Sequence, residues 1–285
     1  MAIVQEAFSL PVNGGHCFCI YRAPAADVTG IVLHLPAFGD EMNKARAMTA
    51  RTARALAGRG FAVLQIDLFG CGDSSGDHAE ASYAVWDDNV IRAVDWLRRR
   101  NGASVGLWLW CLRAGALLAP RVIAQIPAAS LLLWQPMLNG AQLLNQLLRQ
   151  KSVAEMLGAA TDRGAASALR KRLLEGETLE VGGYAISPQL ASELAASEFA
   201  LSDSFRGMLA WLEVGPGKPP TLSPAARNRI DALRASGLTV DAHAIEGPGF
   251  WQSVEIEHCE ALVESSLHAM EAMRTHGISR DPVVL

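Results

Sequence analysis

The chain has 285 residues, of which half are apolar and 19% are charged, so it can bury a large core as a globular protein. Its net charge of −4 and the lack of a basic stripe give no electrostatic basis for binding nucleic acid. The apolar runs are of strand length, far below the ~20 residues that span a bilayer. The amino terminus lacks the basic start and cleavage site of a signal peptide. We therefore expect a cytoplasmic protein without a membrane span.

The five cysteines are scattered along the chain, and none of their spacings matches a zinc site or a thioredoxin-like motif. Buried, reduced thiols are therefore expected at Cys17, Cys19, Cys71, Cys111 and Cys259. No two histidines have a ligand spacing with a carboxylate nearby. The sequence therefore predicts neither a metal site nor a cofactor.

The first half of the chain alternates between strand and helix patterns. The turn sequence NGG joins two predicted strands at residues 3–10 and 16–22. Continuous apolar runs and helical spacings then follow in alternation, as expected for strands buried on both faces and the helices that cover them. The predicted strands are 31–35, 61–67, 105–110 and 129–134, and the predicted helices are 42–58, 85–99 and 114–124.

The alternation stops after Pro136 and resumes near residue 208. Residues 138–200 have mostly helical spacing, interrupted by VGGYAIS at 181–187. Afterwards the pattern predicts strands at 208–214 and 238–245 and helices at 224–235 and 254–274. We predict an α/β fold with a doubly wound, mostly parallel sheet formed by residues 1–137 and 201–285. Residues 138–200 are predicted to form a helical lid, inserted after the sixth strand.

Two local motifs make this order resemble the α/β-hydrolase fold. DLFGCGDSSG at 67–76 resembles the D-x-x-G-x-G-x-S turn that follows the fourth strand of that fold. HLPAFGDEMNK at 34–44 resembles the oxyanion loop that follows its third strand. The resemblance implies a nucleophile on a sharp turn after the fifth strand, with an acid and a histidine after later strands.

Five longer blocks extend from the third strand to the last helix, namely AFGDEMNKARAM, WCLRAGALLA, LLLWQPMLNG, VGGYAIS and GPGFWQSVE. Together they are similar to the family called exosortase A system-associated hydrolase 2. The resemblance implies a setting among bacterial genes for exopolysaccharide production and exosortase-dependent protein sorting.

The nucleophile motif is altered in this chain. The fold needs G-x-S-x-G at the turn, because small residues on both sides let the backbone pass. Aligning the small residues gives the sequence Cys111-Leu112-Arg113-Ala114-Gly115, which places an arginine where the serine is expected. A guanidinium remains protonated at any usable pH and cannot attack a carbonyl. Serine chemistry at residue 113 is therefore excluded.

The other triad positions are also missing. The loop VGPGKPPTLS contains no acid, and Glu213 lies before it at the strand end. After the last strand, the sequence GPGFW has Gly249 where a histidine is expected. The string Gly72-Asp73-Ser74-Ser75-Gly76 satisfies G-x-S-x-G, but it belongs to the turn after the fourth strand. We interpret Ser74 as a turn residue.

Two other residues are candidates for catalysis. Cys111 is the alternative nucleophile, since a thiolate needs only a nearby base. His34 ends the third strand, close enough to the oxyanion loop to reach the site, while His258 is expected on a helix surface or lining a groove. Each residue is also explained by packing or solvation alone.

Arg113 is expected to project into the crevice above the strand ends, where ligands of open α/β sheets bind. A buried guanidinium needs a partner, and both Glu41 and Glu255 are candidates. In one interpretation the ion pair is structural and fills a dead site. In the other, Arg113 binds an anionic or carbonyl oxygen of a small-molecule, acyl or peptide ligand. The candidate ligand-binding residues are Phe38, Glu41, Asn43, Lys44, Leu112, Arg113, Trp251 and Glu255.

Two classes of function therefore compete. The chain is either a binding protein that keeps the hydrolase fold without its chemistry, or an ester or acyl thioester hydrolase with a non-standard site. The sequence is compatible with a homo-oligomer in both cases.

Overall fold

The computed structural model describes residues 2–156 and 165–278. Eight strands form the main sheet in the order β1-β2-β4-β3-β5-β6-β9-β10, and β7 and β8 pair separately. The strands are β1 (Ile3–Val12), β2 (Gly15–Pro24), β3 (Gly30–Leu35), β4 (Phe61–Ile66), β5 (Leu107–Leu112), β6 (Ser130–Trp134), β7 (Leu179–Val181), β8 (Tyr184–Ile186), β9 (Leu209–Gly215) and β10 (Val240–Glu246).

The sheet is antiparallel only at its β1 edge. Strands β1 and β2 form the predicted hairpin, and β2 pairs antiparallel to β4. All other neighbours in the sheet are parallel. Every residue of β3, β5 and β6 is buried, which explains why their sequences are continuous apolar runs instead of alternating ones.

Helices cover both faces of the sheet, as the alternating pattern predicts. They are α1 (Asp40–Gly58), α2 (Tyr83–Asn101), α3 (Ala119–Gln125), α4 (Gly140–Met156), α5 (Ala165–Leu174), α6 (Pro188–Ala196), α7 (Pro224–Ala235) and α8 (Glu260–Ile278). Helices α1 and α8 pack on one face, in a core cluster that contains Trp108 and Trp110. Helices α2, α3 and α7 pack on the other face, in a cluster that contains Leu109 and Cys111. The predicted doubly wound sheet is confirmed.

The predicted helix at 114–124 is wrong in its first half. The chain forms a 3₁₀ turn over Arg113–Leu117, and α3 begins only at Ala119. Pro120 explains the break, because a proline inside an α-helix removes one hydrogen bond and clashes with the carbonyl four residues earlier. Near the start of α3, the same residue is well tolerated.

The last helix also begins later than predicted, at Glu260 instead of residue 254. Residues 251–259 form an irregular segment in which Val254 and Ile256 are 94% and 73% exposed. The helix starts where the chain packs against α1, since the backbone N–H of Cys259 donates to Sδ of Met48. Without a surface to cover it, the apolar spacing at 254–256 does not produce a helix.

The segment between β6 and β9 contains α4, α5 and α6, with the β7–β8 hairpin between α5 and α6. Residues 157–164 of the predicted helical lid lie outside the described residues. The VGGYAIS interruption is this hairpin, which turns at Gly182 and Gly183, with φ angles of 58° and 83°. Two consecutive positive φ angles are typical of a tight hairpin turn and favour glycine.

All five cysteines are buried and unpaired, as predicted. No helix in the described ranges is long and apolar enough to cross a membrane. Over the same ranges, no three His, Cys, Asp or Glu side chains converge as metal ligands.

Candidate functional site

Arg113 lies on the sharp turn after β5, where the alignment with the nucleophile motif places it. Its φ angle of 52° is in the left-handed region, which non-glycine residues seldom adopt. Two residues later, the turn passes very close to the end of β3. A Cβ on Gly115 would lie 2.3 Å from the carbonyl oxygen of Leu35, so a glycine is required there. The backbone geometry of a nucleophile turn is therefore present, with an arginine at its tip.

The Arg113 guanidinium is buried and forms an ion pair with Glu41. Its Nε donates to both carboxylate oxygens, at 3.1 and 3.3 Å, and its Nη2 donates to Oε1 at 2.9 Å. The side chains of Arg113 and Glu41 are only 10% and 22% exposed. A side-on contact of this kind is among the stronger charge-assisted hydrogen bonds. Of the two partners considered from the sequence, Glu41 is the one the structure brings to Arg113.

Glu41 lies on a helix instead of the predicted oxyanion loop, because α1 begins at Asp40. A carboxylate in the first turn interacts favourably with the helix dipole. On the other side, the Arg113 guanidinium carbon lies 5.5 Å from the centre of the Trp251 ring. An aromatic ring at this distance attracts the cation through its electron-rich face. Arg113 is therefore held between a carboxylate and an indole.

The positions of the acid and the histidine offer no replacement catalytic groups. Glu213 points towards the start of α7, where it accepts hydrogen bonds from the backbone N–H of Ser223 at 2.7 Å and from its hydroxyl at 3.1 Å. Ser223 in turn caps α7. In the loop after β10, Gly249 lies beside the Trp251 ring. The carboxylate of Glu213 is therefore engaged in holding a helix end.

Ser74 is a turn residue, as interpreted from the sequence. Its hydroxyl donates to the carbonyl of Asp67 at 2.5 Å and accepts from the backbone N–H of Phe18 at 2.8 Å. These bonds fasten the glycine-rich turn after β4 to strand β2.

A cavity of about 360 Å³ lies beside the Arg113–Glu41 pair, a size in the usual range for small-molecule sites. The loop after β3 and the start of α1 form one side of it, and the loop after β10 forms a second. These two sides are lined by Phe38, Asp40, Glu41, Lys44, Trp251 and Gln252. Arg113 does not itself line the cavity, but it contacts Glu41 and Trp251, which do.

Helix α4 of the inserted segment forms the third side of the cavity. Its contribution, which the sequence analysis missed, is Leu143, Gln146, Leu147 and Gln150. These residues follow the 3–4 spacing of one helix face, so the pattern itself was visible. Only the packing of α4 against the turn at Arg113–Leu117 shows that this face meets the site.

Of the remaining candidate ligand-binding residues, only Lys44 lines the cavity. Lys44 lines the cavity but pairs with Asp40 at 2.8 Å. The amide of Asn43 donates to the Tyr184 hydroxyl at 2.8 Å and lines a separate groove. Leu112 is fully buried in the core, and Glu255 is exposed in the irregular segment before α8. The structure therefore groups Phe38, Glu41, Lys44 and Trp251 beside Arg113 and leaves the other three elsewhere.

Cys111 and His34 cannot act as a catalytic pair, because they lie on opposite faces of the sheet. Cys111 pairs in register with Leu35, whereas His34 pairs with Trp110, and side chains alternate along each strand. Burial raises the pKa of the Cys111 thiol well above its usual range. The thiol is therefore protonated, fully buried and out of reach of the histidine.

His34 has a strongly lowered pKa that should make the fold sensitive to acid. Burial, and to a smaller extent the nearby Arg46 charge, lowers the pKa of His34 from 6.5 to about 3. The unfolded chain therefore binds the proton more readily, so the His34 contribution to stability is complete above pH 6.5 and declines as the pH falls towards 3. When the pH is lowered from 6.5 to 5, we expect the free energy of unfolding of the wild type to fall by about 2 kcal/mol more than that of His34→Gln.

Urea unfolding at the two pH values measures this difference. The matched control is His268→Gln, a change at an exposed position of α8, which should lose as much stability as the wild type. Equal losses in the wild type and in His34→Gln would contradict the prediction.

Comparison with protein-family models finds no match to the chain, and comparison with curated protein sequences finds none either. Solved structures resemble it over nearly their whole lengths. Est1E from Butyrivibrio proteoclasticus with bound ferulic acid has a TM-score of 0.63 and 16% identity, covering 94% of this chain and 100% of that one. A thermostable carboxyl esterase from Bacillus coagulans has a TM-score of 0.59 and 14% identity, covering 96% and 99%.

A third structure, XC6422 from Xanthomonas campestris, is described as an α/β serine hydrolase without a lid. It has a TM-score of 0.52 and 14% identity, covering 99% of this chain and 97% of that one. Identities this low establish the architecture alone. The chain therefore has the α/β-hydrolase fold, with helices and a small hairpin inserted between the sixth and seventh strands of its main sheet.

Proposed function

We propose that this chain is a ligand-binding protein built on the α/β-hydrolase fold, with its site centred on the Arg113–Glu41 pair. The observation that carries the proposal is the buried ion pair at the tip of the nucleophile turn. A guanidinium cannot become a nucleophile, and its carboxylate partner already accepts three hydrogen bonds from it. With Glu213 capping α7 and Gly249 at the expected histidine position, the triad chemistry of the fold is lost.

The ligand we propose is a small molecule, an acyl group or a peptide end with an anionic or carbonyl oxygen. Arg113 has five N–H donors, and Glu41 occupies only those of Nε and one on Nη2. Its Nη1 makes no hydrogen bond to any described residue, and in our proposal a ligand oxygen reaches it past Glu41 and Trp251, which line the cavity beside it. Phe38 and Trp251 supply an apolar wall, and the lining glutamines supply neutral hydrogen-bonding groups.

The segment at 138–200 acts as the cap of this site in our proposal, with residues 1–137 and 201–285 as the core. Its support is the face that α4 contributes to the cavity. A ligand there would contact both core and insertion, so most of its surface would be removed from water.

The sequence resemblance to exosortase A system-associated hydrolase 2 adds a cellular setting to the proposal. It associates the chain with exopolysaccharide production and exosortase-dependent protein sorting, and we propose that the protein serves this system in the cytoplasm. Its partner would then be a small ligand and not a nucleic acid, and self-association is compatible with this role.

The first arm of the test is hydrolysis. We expect the wild type to turn over p-nitrophenyl acetate, p-nitrophenyl butyrate and acetyl-coenzyme A no faster than buffer, because we find no activated nucleophile in residues 2–156 and 165–278. Arg113→Ala and Cys111→Ala should behave like the wild type. Turnover that Cys111→Ala abolishes and Arg113→Ala retains would establish a thiol hydrolase and overturn the proposal.

The second arm is binding, with butyrate, hexanoate and their methyl esters as probes in ligand-observed NMR. Gln146→Trp should block the cavity and remove the signal. Gln142→Trp is the matched control, because it makes the same change at an exposed position of α4 that does not line the cavity. If no probe binds the wild type, or if the two variants bind equally, the cavity is not the proposed site.

A further inference from the structure

A second cavity, of about 130 Å³, lies between α1 and the sheet face formed by β2, β4 and β3. It shares no lining residue with the cavity beside Arg113. A single water needs only about 10–15 Å³ of such volume, so the space accommodates a molecule of several heavy atoms. Its polar lining consists of Arg22, His34, Arg46, Thr49, Gln65 and Asp67.

Arg22 is the unusual member of this lining, because it is a buried cation without a carboxylate partner in the described part of the chain. The residue is 4% exposed. Its Nε donates to the amide oxygen of Gln5 at 2.9 Å, and its Nη1 donates to the amide oxygen of Gln65. Both partners are neutral, so the positive charge is solvated but not balanced. A buried charge without a counter-charge is costly, so an anion bound in this space would be stabilised.

The other charged residues of the cavity do not balance Arg22. Arg46 and Asp67 neutralise each other, since Nη2 of Arg46 lies 2.9 Å from Oδ2 of Asp67. With two arginines against one aspartate, the lining has one excess positive charge. Arg54, on the exposed side of α1, adds to the positive potential, and together with burial it lowers the pKa of Arg22.

His34 supplies a second, independent indication of a ligand. The residue is 5% exposed, and neither ring nitrogen hydrogen-bonds to a described residue. Its Nε2 is completely enclosed and unpartnered. Buried polar groups nearly always find a partner, so an orphaned imidazole beside an unbalanced guanidinium is exceptional. A neutral imidazole still has one N–H to donate.

We propose that this cavity binds a small oxyanion, a carboxylate or a phosphate, between Arg22 and His34. Nη2 of Arg22 makes no hydrogen bond to a described residue and is free to donate to the anion. The anion would balance the buried guanidinium, and the imidazole would donate to a second oxygen from Nδ1, because Nε2 is completely enclosed. Oxyanions suit this arrangement because they accept several hydrogen bonds and bind a guanidinium through its paired N–H groups.

The test is titration calorimetry on the full chain with sodium phosphate and with sodium acetate, at constant ionic strength set by chloride. Binding of either anion that Arg22→Gln weakens supports the site, and the comparison shows whether a phosphate or a carboxylate is preferred. Arg22→Gln should raise the dissociation constant by about tenfold or more, because a charged hydrogen bond is lost. Arg54→Gln is the matched control and should change it by less than about threefold, since that charge is exposed.

A second variant tests the site independently, in case Arg22→Gln does not fold. Ala50→Met enlarges a half-buried cavity residue on α1 with a good helix former, so the helix should persist while the space is filled. We expect it to abolish anion binding. No heat from either anion with the wild type, or equal binding by the wild type and Ala50→Met, would overturn the proposal.

Discussion

Replacing Glu41 by alanine should lower the free energy of unfolding by about 3 kcal/mol, because it leaves the Arg113 guanidinium buried without its counter-charge. The Arg113 side chain is only 10% exposed, so water cannot replace the carboxylate without a rearrangement of the turn. The attraction of the Trp251 ring compensates for only part of the loss. Urea unfolding at neutral pH measures the change.

Two further variants identify the cause of this loss. Asp40→Ala removes an adjacent carboxylate whose pair with Lys44 is partly exposed, so it should cost less than about 1 kcal/mol. Arg113→Met in the Glu41→Ala background removes the stranded charge and should restore most of the stability. If the double variant is as unstable as Glu41→Ala alone, the loss comes from packing and the ion-pair explanation is wrong.

Gly115→Ala should destabilise the fold by about 3 kcal/mol, since the added Cβ would overlap the backbone at the end of β3. The overlap involves the carbonyl oxygens of Leu35 and Pro36, at 2.3 and 2.8 Å. Backbone atoms of a central strand cannot move aside as a flexible side chain can, so the turn that holds Arg113 has to shift. Thermal and urea unfolding give the magnitude.

Gly106→Ala is the matched control, because that glycine is exposed and an added Cβ meets no atom within 4 Å. Its stability should remain within about 0.5 kcal/mol of the wild type. Similar losses of stability in Gly115→Ala and Gly106→Ala would contradict this explanation. The destabilisation would then result from replacing any glycine and would not depend on the close approach to Leu35.

Much of the fold could be predicted from the sequence, because its strands and helices have strong local patterns. The NGG turn predicts the β1–β2 hairpin, and the mainly apolar runs of β3, β5 and β6 predict strands buried on both faces. The predicted starts of two helices are wrong, because local apolar spacing does not account for a proline or for the lack of a packing surface. Pro120 delays α3, and the exposed Val254 and Ile256 do not extend α8.

The placement of Arg113 was also within reach of the sequence, because the small residues around it are those a nucleophile turn requires. The residue that pairs with Arg113 could not be identified from the sequence. Glu41 and Glu255 were equal candidates by composition, and only the packing of α1 against the turn selects Glu41. The contribution of α4 to the cavity depends in the same way on where the inserted segment packs.

The sequence by itself determined the order of strands and helices in the sheet core and the arginine at the tip of the turn after β5, whereas the loss of the other triad residues stays a prediction. These features depend on local spacing, which a single chain displays directly. Only the tertiary structure decided that Cys111 and His34 lie on opposite faces of the sheet, and that Arg22 is buried with no carboxylate partner among the described residues. Both facts follow from strand register and helix packing, which join residues far apart in the chain and leave no local pattern to recognise.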